Sequence, residues 1–107
     1  MSTQTIRRLN DHFRQNLDSG IAVITPGVAA LGKEAVQRIC KTIEVYDDFC
    51  RECDSYQEHD FGRFDADGHL IFFKIDYYDL QLNAASPDPA DPSVTKRVLT
   101  IMVAGEY

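Results

Sequence analysis

The Asp67-Gly68 step, set between two runs of alternating apolar residues, constrains this chain more than any other feature. A two-residue hairpin turn needs positive φ at both central positions, and Asp and Gly tolerate that backbone where most residues do not. The expected arms are 61–65 and 69–78, joined through Ala66-Asp67-Gly68. On the second arm Ile71, Phe73, Ile75 and Tyr77 share one face, while Leu70, Phe72, Lys74, Asp76 and Tyr78 share the other. The first set is apolar almost throughout and is expected to face a layer of helices. Phe72 on the opposite side points to partial cover there too.

A hairpin alone is marginal in water, so other segments must extend the sheet and cover it. Ile6, Leu9, Phe13 and Leu17 recur at spacings of three and four, which predicts a first helix capped by Thr5 and stopped by Asp18-Ser19-Gly20. Ile21-Ala22-Val23-Ile24-Thr25 is short, β-branched and apolar, and reads as a buried strand broken by Pro26-Gly27. A single helical turn over 28–31 is followed by a long amphipathic helix over 32–49. Val36, Ile39, Cys40, Ile43, Tyr46 and Cys50 lie on its apolar face, opposite Lys33, Glu34, Gln37, Lys41 and Glu44. Residues 50–58 form a polar loop. Three of the four prolines fall in 83–93, which excludes a strand there. Residues 97–104 predict a last strand that is apolar on both faces and so suits a central position. The expected fold is α+β, with two helices packed on one face of a small antiparallel sheet containing a central β-hairpin. At 107 residues with 44% hydrophobic content, 1–107 is expected to be a single domain with its own core.

The formal charge of −6 is unevenly distributed: residues 1–43 carry a balance of +3, residues 44–67 of −7 and the remainder of −2. Glu44, Asp47, Asp48, Glu52, Asp54, Asp65 and Asp67 are therefore the candidate acidic interaction surface. Such a surface is either a solvated face that aids solubility or a dock for a basic protein. It repels phosphates, so direct binding to nucleic acid through it is not expected. No apolar run reaches the roughly 18 residues that cross a bilayer, and the opening residues lack a signal-peptide core, so a cytoplasmic protein without membrane contact is expected. An odd cysteine count fits that compartment.

Two constellations could carry chemistry. Cys50 and Cys53 form a Cys-x-x-Cys pair with His59 beyond and Cys40 before it, but zinc ligation wants a second close pair, and cysteine on a helix face commonly acts as a small hydrophobe. No metal and no cofactor are assigned. Glu58-His59-Asp60 stands at the open end of the hairpin, where the returning chain brings Asp76, Tyr77, Tyr78 and Asp79 close. Converging carboxylates could hold magnesium or manganese, or shift a pKa enough for acid–base work. They could equally hydrogen-bond to loop backbone and pin the proline-rich segment. There is no glycine-rich phosphate loop, nucleophile elbow or HExxH motif. His12, beside Asp11, and His69 read as surface histidines, and Arg7, Arg8 and Arg14 are too sparse for a nucleic-acid patch.

Four blocks in order, Glu58-His59-Asp60-Phe61-Gly62, Lys74-Ile75-Asp76-Tyr77-Tyr78-Asp79, Asp88-Pro89-Ala90-Asp91-Pro92 and Arg97-Val98-Leu99-Thr100-Ile101-Met102, resemble an uncharacterised alphaproteobacterial domain-of-unknown-function family found on plasmids and other mobile elements. The segments 6–14 and 25–31 resemble it as well. The resemblance implies a role in the life of mobile DNA, such as countering host defence. The leading expectation is a non-enzymatic protein-binding factor. It would inhibit a nucleic-acid-targeting defence complex, in the manner of anti-CRISPR or anti-restriction proteins, by offering an acidic surface to a basic partner. The alternative is a metal-dependent, hydrolase-like enzyme using the carboxylate and histidine cluster. Monomer and homodimer are both open, the homodimer reading requiring the C-terminal strand as an exposed edge.

Overall fold

The computed structural model describes residues 2–52, 54 and 56–107. The chain runs α1 (Ser2–Gln15), β1 (Ile21–Ile24), α2 (Pro26–Ala29), α3 (Lys33–Val45), β2 (Phe61–Ala66), β3 (His69–Tyr78) and β4 (Lys96–Val103), with short 3-10 turns at Leu17–Ser19 and Ala104–Glu106. The hairpin forms where Asp-Gly allows it: Asp67 has φ 53° and Gly68 φ 84°, and β2 pairs with β3 from Phe61↔Lys74 to Ala66↔His69.

The sheet order is β1-β4-β3-β2. The last strand is central, as its two apolar faces require, lying antiparallel to β3 and parallel to β1. The sheet is therefore mixed and not wholly antiparallel. A parallel neighbour requires a long crossover, and Pro26-Gly27 supplies its start by leading into helix rather than back along the sheet. β1 is also an edge strand, with Val23 and Ile24 about 40% exposed, and not the buried strand its composition suggests.

Ile71, Phe73, Ile75, Leu99 and Ile101 of the sheet form one core with Phe13 of α1, Val28 of α2, and Ile39, Ile43 and Tyr46 of α3. The helices thus cover one face, with Gly62 packed so closely against the Phe73 and Tyr46 rings that an added Cβ would clash with both. On the opposite face Phe61, Phe72 and Tyr107 pack on one another at centroid distances of 5.4–5.7 Å, which is the cover that Phe72 implied.

Two helix boundaries differ from expectation. α1 begins at Ser2, so Thr5 lies inside it and caps nothing. α3 ends at Val45 because Tyr46 turns extended at ψ 130°. The Arg14 guanidinium of α1 donates to the carbonyls of Ile43 and Tyr46, each at 2.8 Å, adding a charged donor at the helix end, where the Ile43 carbonyl also accepts the Tyr46 amide at 3.3 Å.

Candidate functional site

The residues singled out at the hairpin mouth meet a partner that the sequence did not disclose, the inner face of α1. Asn10 and Arg14 fall within its apolar stripe, one helical turn apart, and both are buried. Asn10 Nδ2 donates to the Glu58 carbonyl at 3.0 Å and to the Tyr77 hydroxyl at 2.8 Å, and its Oδ1 accepts from Arg97 Nε at 2.7 Å. Tyr77 in turn donates to Glu58 Oε1 at 2.8 Å. Arg97 also donates to the Pro89 carbonyl and lies over the Tyr77 ring, 5.1 Å from its centroid. One amide thus ties α1 to the loop before β2, to β3 and β4, and through Arg97 to the proline-rich segment.

A second group lies beside it. Asp11 Oδ1 receives Arg14 Nη2 at 2.7 Å and sits 2.8 Å from His59 Nδ1. The His59 ring stacks on Phe49, 3.9 Å between centroids and 4° from parallel, and the Arg14 guanidinium stands 5.0 Å from the same phenyl centroid. Backbone strain accompanies these contacts, since Gln57 and His59 both have φ 58°. Asp54 Oδ1 accepts the His59 amide at 3.0 Å, which helps hold that conformation.

The electrostatics follow from burial. Asp60 is pushed up to about 6, first by desolvation and then by the charges of Glu58, Asp54 and Asp76. The Tyr77 hydroxyl is raised well above its ordinary range, mainly by burial, and therefore stays a donor to Glu58. Burial lowers Arg97, partly offset by Tyr77 and Glu58.

Of the sequence candidates, Glu58, His59, Asp60 and Tyr77 lie within this assembly, and Asp76 reaches it through its charge on Asp60 while pairing with Lys74 at 3.3 Å. Asp79 serves the turn that follows β3, accepting the Asn83 amide at 2.9 Å. Tyr78 belongs to the other face of β3, opposite Lys96 and bridged to Ala85. Among the described residues, no group of three or more His, Cys, Asp or Glu side chains is placed to hold a metal ion. Cys53 lies outside the described residues, so the Cys50/Cys53 pairing has no structural description here, and Cys40 is a half-buried free thiol. The network joins backbone to side chain at nearly every node, which is the arrangement of a clamp. Asn10, Asp11, Arg14, Phe49 and Arg97 were not singled out as site residues. Their only local signal was two polar residues inside the apolar stripe of the first helix.

The acidic segment divides. Asp54 is 5% exposed and belongs to the clamp, so it is not part of an interaction surface. Asp67, at the hairpin turn, pairs with Arg38 of α3. Asp47, Asp48 and Asp65 line a groove of about 600 Å³ between the end of α3 and the hairpin, with Val45, Phe64 and Leu70 as its apolar wall. Glu44, half-buried on α3, and the exposed Glu52 lie outside that lining.

The fold and clamp define a small α+β domain in which a mixed four-stranded sheet is locked to its N-terminal helix by a buried polar network. Residues 24–106 match the family model described as protein of unknown function DUF3768, and the chain belongs to that family. No curated protein and no solved structure matches the chain.

Proposed function

We propose that this chain is a non-catalytic protein-binding factor that engages a basic partner through the groove at the end of α3. The supporting observation is the coincidence of three carboxylates, Asp47, Asp48 and Asp65, with exposed apolar surface at Val45, which is 79% exposed, and Leu70. Carboxylates steer and orient a cationic partner, whereas apolar contact supplies most of the affinity. A single basic residue, Arg63, joins that lining, so the local field stays negative. Of the carboxylate and histidine residues at the hairpin mouth, Glu58 accepts from Tyr77, His59 pairs with Asp11, Asp79 accepts the Asn83 amide and Asp76 pairs with Lys74. That leaves the groove as the better candidate for contact with another molecule. The partner class is the phosphate-binding channel of a nucleic-acid-handling complex, the setting of host defence against mobile DNA.

Affinity capture on such complexes at low and high salt tests this reading. Binding that falls steeply with salt, and is abolished when Asp47, Asp48 and Asp65 are changed together to lysine, is the expected result. Undiminished capture by that triple variant sinks it. Asp54 is left intact because its substitution would break the clamp instead.

A further inference from the structure

The two outer strands of the sheet are treated differently. On the β2 edge, the Tyr46 hydroxyl accepts the Arg63 amide at 3.2 Å and shares its own proton between the Asp48 carbonyl at 2.9 Å and the Arg63 carbonyl at 3.1 Å, and Arg63 and Asp65 add charge. Occupied backbone groups and charged side chains are the ordinary means by which an edge is kept from pairing. The β1 edge has neither device. It reads Ile21-Ala22-Val23-Ile24, all but Ile21 exposed, within a stretch, 19–32, that contains no charged side chain.

The pairing of β1 decides which backbone groups are free. Thr25 donates its amide to the Ile101 carbonyl in the parallel register Ile24↔Ile101. By the alternation of a parallel ladder, Ile21, Val23 and Thr25 then turn toward β4, and Ala22 and Ile24 turn their amide and carbonyl groups outward.

We infer that this outward edge pairs with a second copy of the chain, β1 antiparallel to β1 about a twofold axis at Val23. Ala22 then faces the partner copy's Ile24 in a hydrogen-bonded pair, and the reverse pair follows by symmetry, giving about four backbone hydrogen bonds. On each flank of the axis a small side chain meets a large one, and Val23 meets its own symmetry mate on the opposite face. Charge selects this occupant. The chain carries −6, and its −7 segment is concentrated around the end of α3 and the hairpin, at the far side of the sheet from β1. Joining through β1 keeps the two acidic regions apart, and an uncharged strand is complementary to itself. The result is a continuous eight-stranded sheet that leaves both acidic grooves outward.

Light scattering on the eluted full chain reads the mass directly. A mass twice the 12.1 kDa of the single chain, unchanged by salt, is expected, and Val23→Lys should halve it with the circular dichroism spectrum retained. Val23→Cys provides a second reading that does not depend on tolerance of a charge. A non-hydrogen-bonded antiparallel pair places the two Cα atoms about 4.5 Å apart, within disulfide range. With dissolved oxygen and a copper catalyst as the oxidant that takes up the two electrons, rapid disulfide formation to a covalent dimer is expected for this variant and not for Leu80→Cys, which is also exposed. A monomer mass for the wild-type chain, a dimer that survives Val23→Lys, or equal cross-linking at positions 23 and 80 overturns the inference.

Discussion

Asn10 Oδ1 accepts a hydrogen bond from Arg97 Nε at 2.7 Å, joining the first helix to the last strand across 87 residues of sequence. The same amide's nitrogen serves Glu58 and Tyr77, so the side chain uses both ends of its polarity on three different segments. Its complete burial means that water cannot replace what a substitution removes.

Asn10→Ala is accordingly expected to destabilise the fold by about 2–3 kcal/mol, since it leaves the Glu58 carbonyl, the Tyr77 hydroxyl and Arg97 short of a partner. Urea unfolding should show a lower midpoint with an unchanged slope. A loss below about 0.5 kcal/mol would mean that the amide is dispensable to the clamp.

Arg14 tests the helix end. Its guanidinium is 3% exposed and satisfies the Ile43 and Tyr46 carbonyls together. Arg14→Met preserves much of the apolar stem and removes the donors, at an expected cost of about 3 kcal/mol. Arg14→Lys should recover only part of this, because an ammonium lacks the planar fork that reaches both carbonyls and Asp11 at once. Equal stability of the lysine and methionine variants would contradict the capping role.

Gly62 tests the packing of the hairpin on the helices. The clash of an added Cβ with the Phe73 and Tyr46 rings predicts that Gly62→Ala costs about 1–3 kcal/mol, although alanine suits a strand better than glycine does. Gly68→Ala, with open space at its Cβ but φ 84°, should cost only about 1 kcal/mol. Thermal unfolding of the pair separates steric from backbone effects, the steric variant melting lower.

Asp60 sets a pH dependence with a definite sign. Its folded-state value of about 6 lies above the ordinary 3.8, so the folded chain holds the proton more tightly than the unfolded chain. The stabilisation from protonation is complete below about 4 and is lost as pH rises through about 6. Asp60→Asn should therefore be more stable than wild type at pH 7, by on the order of 1 kcal/mol given the partial exposure of the site, and equal to it near pH 4. Chemical denaturation at both pH values checks this, and a variant less stable at pH 7 would reverse the assignment.

Much of the architecture was legible because it is encoded over short distances. The hairpin followed from Asp67-Gly68 and the alternation around it, and the core face of β3 followed from Ile71, Phe73 and Ile75. The central place of β4 followed from its two apolar faces. What misled were properties that reside in pairing. β1 is apolar, yet its exposure is set by which strand it meets and on which side, and no local pattern records that. The end of α3 was placed too late because the periodicity continues past Val45, while the backbone turns extended at Tyr46, where the Arg14 guanidinium from another helix meets the Ile43 and Tyr46 carbonyls.

The candidate site divides along the same line. Local sequence determined that Glu58, His59 and Asp60 stand at the hairpin mouth near Tyr77, since a hairpin returns its chain on itself. It also determined that acidic charge is concentrated before and within that hairpin. Only the tertiary structure decided what those groups do. It buried Asp54, brought Asn10 and Arg14 against the mouth from the far end of the chain, and reached Pro89 through Arg97. Hydrogen bonding is directional and short in range, so its partners follow from how distant segments dock. Hydrophobic periodicity and turn chemistry act between near neighbours, and those a sequence carries openly.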